Sequence, residues 1–137
     1  MKIGDFKIGV IHGHQVIPWG DIESLSAIRR ELDCDVIISG HTHKNSVTKY
    51  EGKYFINPGS VTGAYTPLYR FFYFSDINPS FDLMVIKGET AALFVYEWID
   101  GQEKVLKSNI SKNEPNLVSS PSHVKENENS KDEETKS

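Results

Sequence analysis

Along the first sixty residues, short apolar runs end in glycine or histidine, and between two of them the period changes from that of a strand to that of a helix. Phe6, Ile8, Val10 and Ile11 predict a short buried strand over residues 5–12. A loop, "GHQVIPWGD", follows. Ile22, Leu25, Ile28 and Leu32 then recur at helical spacing and predict a helix over 22–32. Asp21 suits its N-cap, and Arg29 and Arg30 lie near its C-terminus, where positive charge complements the helix dipole. The run "DVIIS" is a second strand. Strand, helix and strand in this order predict a right-handed crossover between parallel strands.

From residue 46 the pattern changes. "SVTKY" and "KYFIN" flank Glu51-Gly52 and predict a hairpin. "NPGS" (Asn57 to Ser60) is a turn by composition. "SFDLMVIKG", "TAALFVYEWIDG" and "EKVLKSNI" predict an antiparallel meander with glycine-bearing turns. The body is thus an α/β half followed by a β half, over residues 1–107. Residues 108–137 are rich in Ser, Asn, Glu and Lys, and bury too little apolar surface to offset ordering entropy, so a disordered tail is expected there. His123, within it, reads as a solvated histidine.

Composition narrows the function classes. A length of 137 residues suits one domain, and a net charge of −4 with no basic stripe argues against nucleic acid as a partner. The apolar runs are too short to span a bilayer, and "MKIGDFKIG" lacks the apolar core of a signal peptide. With Cys34 as its single cysteine the chain forms no internal disulfide, which favours a reducing, cytosolic setting. Cys34 itself reads as a small residue at the start of a buried strand.

Candidate chemistry lies in two histidine pairs. "IHGHQ" and "SGHTHK" hold four of the five histidines, each pair directly after an apolar run. Carboxyl ends of parallel strands converge on a crevice, so His12 and His41 are expected to meet there. In extended backbone, residues two apart point the same way, so His41 and His43 are expected to face one point. Neutral imidazole suits zinc, manganese, iron or nickel. A hydrolytic pair of ions also needs carboxylates, and the nearby candidates are unsuitable. Asp21 reads as a cap, and Asp33 and Asp35 lie at the far end of the second strand.

"GHTH" and "HGH" resemble the last metal-binding motifs of the calcineurin-like metallophosphoesterases. The family's opening Asp-x-His, its Gly-Asp or Gly-Asn and its Asn- or Asp-bearing loop have no counterpart in the sequence. Over "FKIGVIHGHQVIPWGD", "ISGHTHK", "YFINPGSVTGAY" and "PSFDLM" the resemblance narrows to the phosphoesterase-fold subunits of retromer, the vacuolar protein sorting 29 family. It covers roughly residues 5–107 and corresponds to the C-terminal part of such a subunit. The expected fold is therefore an α/β calcineurin-like phosphoesterase sandwich, two β-sheets flanked by helices, with its N-terminal part upstream of Met1. One segment departs from the family. "TPLYRFFYFSDIN" (Thr66 to Asn78) is longer and strongly aromatic, and reads as a partner surface, an aggregation-prone segment or a mis-spliced junction.

The resemblance implies metal ligands at His12, His41 and His43, with His14 beside the site, and a divalent cation, zinc or manganese, held weakly without acidic partners. It implies docking on the helical solenoid subunit, vacuolar protein sorting 35, and through it the rest of retromer. The docking face would lie over the metal pocket and use Val16, Ile17, Pro18 and Trp19. A second patch for regulators would hold Leu83, Phe94 and Tyr96. The implied role is a non-catalytic scaffold in endosome-to-Golgi retrograde transport, cytoplasmic and peripheral on endosomal membranes through the complex, with no direct membrane insertion. The alternatives are a metal-dependent phosphodiesterase, or a truncated product without independent activity.

Overall fold

The computed structural model describes residues 1–64 and 77–113. Its element order is β1 (Lys2–Ile3), β2 (Phe6–Ile11), α1 (Ile22–Leu32), β3 (Val36–Ser39), β4 (Asn45–Tyr50), β5 (Lys53–Pro58), β6 (Ser80–Lys87), β7 (Thr90–Ile99) and β8 (Gln102–Ser111). One sheet has the order β1-β2-β3-β5-β4, the other β6-β7-β8. β2, β3 and β5 are parallel, and β1 and β4 run antiparallel at the two edges.

Alternation along the central strands explains the layering. Phe6, Ile8, Val36, Tyr54 and Ile56 point one way and meet Ala91, Leu93, Val95 and Ile110 of the second sheet in one core. The intervening Ile37 and Phe55 point the other way and pack with Val16, Leu25 and Cys34 in a second core beneath α1. Strands buried on both faces read as continuous apolar runs, which is why "DVIIS" carries no polar alternation.

α1 begins where Asp21 Oδ2 accepts the Ser24 amide at 2.9 Å and ends at Asp33 in the left-handed region, φ 48°. The Glu51-Gly52 and Asp100-Gly101 turns both have positive φ at two successive residues, the type I′ pattern that suits tight hairpins.

The structure extends the predicted elements at two places. β1 is an additional two-residue strand, registering Lys2 with Lys7 and Ile3 with Phe6 across a turn at Gly4. β8 continues to Ser111, one residue past the predicted run "EKVLKSNI" and past the domain boundary expected at residue 107; Ile110 takes an inward position and is 2 % exposed. From residue 114 onward the expected tail lies outside the described residues, as does most of the aromatic stretch, residues 65–76.

Backbone and side-chain bonds tie the sheets at both ends. At the lower end Lys112 Nζ donates to the Asp5 carbonyl at 2.7 Å and stands 3.5 Å from Asp35 Oδ2. At the upper end Ser80 Oγ donates to the Pro58 carbonyl at 2.9 Å, and Asn45 Nδ2 to Asp82 Oδ1 at 2.7 Å. The upper end is also where β2 and β3 deliver their histidines.

Candidate functional site

Both histidine loops leave parallel strands at the same end of the sheet, and their backbones touch. The Gly40 amide donates to the His12 carbonyl at 2.9 Å. Gly13 has φ 103°, and a Cβ there would stand 2.8 Å from the Gly40 carbonyl oxygen. Only glycine permits this approach, so "HGH" and "SGH" are halves of one backbone junction.

The junction gathers three imidazoles. His12 and His14 place their Nδ1 atoms 3.0 Å apart. The His12 and His41 ring centres are 5.1 Å apart, and those of His14 and His41 6.4 Å. The Trp19 ring stands edge-on to His41, with centroids 4.1 Å apart. Burial, and then the neighbouring rings of His12, His14 and His43, hold the His41 imidazole below its ordinary pKa, which favours its neutral form.

His43 goes elsewhere. His41 and His43 both have left-handed backbone, φ 73° and 62°, so the extended geometry expected of "HTH" does not form. The His43 ring turns to the Ala64 carbonyl, at 2.7 Å from Nδ1. Between them Thr42 is buried, and its Oγ1 accepts from Asn57 Nδ2 at 2.7 Å. That bond fixes "GHTH" to the "NPGS" segment. Gly59 in this turn has φ 78°, and a Cβ there would collide with Ser80 Oγ.

The carboxylates lie where the sequence places them. Asp21 caps α1. Asp33 pairs with Lys7 at 2.9 Å, and Asp35 with Lys53 at 2.8 Å, both beyond the strand ends opposite the histidines. Burial raises the Asp35 pKa, but the Lys53 hydrogen bond, the Lys7 amide and the charges of Lys53 and Lys112 outweigh it, leaving the carboxyl below its ordinary value.

The donor chemistry tests the implied metal. His41 Nε2 is buried and has no hydrogen-bond partner among the described residues. That orphan nitrogen and the close His12–His14 pair put imidazole donors at this end of the sheet, but they form no ready metal site among the described residues. A bridged pair of ions does not fit. Among the described residues no group of three or more His, Cys, Asp or Glu side chains stands ready around one point.

The loop between His14 and α1 divides by burial. Val16 is 2 % exposed and belongs to the core under α1, so it is not available to a partner as the sequence reading expected. Ile17 is 79 % exposed, followed by a cis peptide to Pro18, and Trp19 is 38 % exposed. The apolar tip therefore consists of Ile17, Pro18 and Trp19.

Leu83, Phe94 and Tyr96 share the outward face of the second sheet. Leu83 registers with Phe94, and Phe81 with Tyr96, whose rings stack 4.8 Å apart. Phe81 also faces outward, 50 % exposed; the sequence reading missed it, although its period-two spacing from Leu83 is the signal that places it.

A parallel sheet that brings paired histidine loops to one end, packed on a second antiparallel sheet, is the frame of a metallophosphoesterase. Residues 1–80 match the calcineurin-like phosphoesterase superfamily domain, and the chain belongs to that superfamily. Within it the chain is similar to vacuolar protein sorting-associated protein 29 (Vps29) of Schizosaccharomyces pombe, 40 % identical over 114 residues, which is 83 % of this chain and 60 % of the relative. The crystal structure of wild-type Vps29 complexed with Zn2+ from Entamoeba histolytica is 47 % identical, with a TM-score of 0.74 over 81 % of this chain and 59 % of that one. Vps29 from Cryptosporidium parvum is 46 % identical, with a TM-score of 0.74 over 81 % of this chain and 55 % of that one. The chain thus spans about three-fifths of the length of these relatives.

Proposed function

We infer that this chain acts as a retromer scaffold subunit and not as a hydrolase. The observation that carries the reading is the tip of Ile17, Pro18 and Trp19 standing beside imidazoles that have no carboxylate partner among the described residues. A binuclear phosphoesterase needs acidic ligands to bridge its ions and hold an attacking hydroxide, and an open pocket for phosphate. A docking surface needs a stiff apolar anchor with little entropy to lose. Ile17, 79 % exposed on a loop pinned by buried Val16, meets the second requirement. The similarity to Vps29 supports the same reading.

On this reading the partner is the helical solenoid subunit, vacuolar protein sorting 35, seated over the histidine end. Leu83, Phe94 and Tyr96, with Phe81, form a separate surface for regulators. The complex serves endosome-to-Golgi retrograde transport, and the chain is cytoplasmic, held at endosomal membranes through its partners. Any zinc or manganese bound at the histidines has a structural role.

The test is co-elution of the full chain with the purified solenoid subunit in size-exclusion chromatography. Wild type is expected to form a one-to-one complex, Ile17→Asp to lose it, and Leu83→Asp to keep it. A complex indifferent to Ile17→Asp would refute the docking assignment. Metal-dependent hydrolysis of bis(p-nitrophenyl) phosphate that disappears in His12→Ala would refute the scaffold reading.

A further inference from the structure

We propose that the outer edge of β4, together with the groove between β4 and α1, takes up an extended acidic peptide segment of a partner protein as an added strand. β4 lies at the end of its sheet and pairs with β5 alone among the described residues. Glu51-Gly52 is a two-residue turn, so Tyr50 and Lys53 form a hydrogen-bonded pair. By alternation the amides and carbonyls of Val47 and Lys49 then point away from β5. A row of such groups is matched by a second extended backbone.

The groove gives that strand a place for its side chains. Ser46 and Thr48 share the face of Phe55 and look toward Ile22 and Leu25 of α1. Their side chains are short, and a space of about 270 Å³ remains between strand and helix, with room for an aliphatic side chain. At the lower end α1 is clamped to the hairpin. Ser26 Oγ and Arg30 Nη1 both donate to Glu51 Oε2, at 3.1 and 3.3 Å, and Tyr50 packs edge-on to Phe55. At the upper end Trp19 and Thr42 border the space. The result is a wedge beside an edge strand, closed below and exposed along Ser46 and Thr48. Charge selects the occupant further. Lys44 lines the groove, and no carboxylate does so among the described residues. Lys49 adds a cation on the opposite face of the same strand, its Nζ 5.5 Å from the Tyr54 ring centre. Acidic side chains on the incoming strand complement these lysines. Two copies pairing edge to edge would carry the same lysines on both strands, which disfavours a second copy as the occupant.

This inference rests on a strand edge and not on the Ile17 tip, so the failure of one reading leaves the other in place. The probe is a display library of random linear peptides long enough to span β4, selected on the immobilised full chain. Binding of the selected peptides is then measured by fluorescence polarisation. A family with alternating aliphatic residues and with aspartate or glutamate is expected. Thr48→Phe fills the groove, and Val47→Pro removes an edge amide but no bond to β5. Each is expected to weaken binding of that family by about tenfold or more, and Lys44→Glu by about threefold. Ile17→Asp and Leu83→Asp are expected to leave it unchanged. Melting temperatures near that of wild type show that the variants are folded. Amide exchange of the wild-type complex needs no variant and is expected to slow at Val47 and Lys49. Peptides that answer only to Ile17→Asp or Leu83→Asp overturn the assignment. So does binding indifferent to both Thr48→Phe and Val47→Pro, unchanged exchange along β4, or a selection that yields no binding peptide.

Discussion

At the scale of single residues, buried Asp35 and half-buried Asp82 behave in opposite ways. Asp35 accepts the Lys7 amide at 2.9 Å and pairs with Lys53 at 2.8 Å, and its folded pKa lies below the ordinary value. Its contribution is therefore present above the ordinary carboxylate range and lost as pH falls through the folded value. Asp35→Asn is expected to cost about 2 kcal/mol at pH 7 in urea unfolding, and the cost is expected to shrink in acid. Asp82 is the reverse case. Burial raises its pKa, Asn45 offsets this in part, and Oδ2 has no partner among the described residues. A raised carboxyl pKa means that stability is gained on protonation and lost as pH rises through the folded value. Asp82→Asn is accordingly expected to raise the melting temperature at pH 7, with the gain vanishing below about pH 4, where carboxylates are protonated in either state. A lower melting temperature for Asp82→Asn at pH 7 would contradict this.

At the scale of elements, local signals in the sequence were enough wherever period and punctuation agreed. α1 spans Ile22–Leu32 as its apolar spacing predicts, because Asp21 starts it and the left-handed Asp33 stops it. Removing the cap with Asp21→Ala is expected to cost about 1 kcal/mol in urea unfolding, and no measurable change would show that packing alone fixes the helix start. The meander and its hairpins were equally legible from glycine-bearing turns. β1 was not, since two residues carry no period and its pairing depends on β2. The histidine site was legible in composition but not in geometry. Proximity of His12 to His41 follows from parallel strands, whereas the turning of His43 toward Ala64 depends on left-handed backbone at two non-glycine residues. Such conformations are uncommon outside glycine, so spacing alone does not predict them. Val16 shows the same limit. Its neighbours in sequence are polar or exposed, and only the position of Leu25, Ile37 and Phe55 shows that it is core.

At the scale of the molecule, alternation and exposure disagree on one side of the sandwich. Val10 shares the inward face of Ile8 yet is 56 % exposed, and Leu106 registers with buried Val95 yet is 67 % exposed. Large inward-facing side chains left in water make an adhesive surface. The full chain alone is expected to bind the dye ANS, and Val10→Thr with Leu106→Thr to reduce that binding without lowering the melting temperature. Undiminished dye binding would place the adhesive surface elsewhere, for instance on the outward face around Phe81 and Leu83.

The histidine end presents the other molecular-scale feature: an apolar tip, a Trp19 ring edge and a cluster of imidazoles with their carboxylates at the opposite strand ends. That combination is the ground for the proposal that a partner sits at this end. Amide hydrogen exchange of the full chain, with and without the solenoid subunit, tests it most directly. Slowed exchange is expected at Ile17, Trp19 and Gly20, with little change along β6 and β7. Protection confined to β6 and β7, or none anywhere, would contradict it.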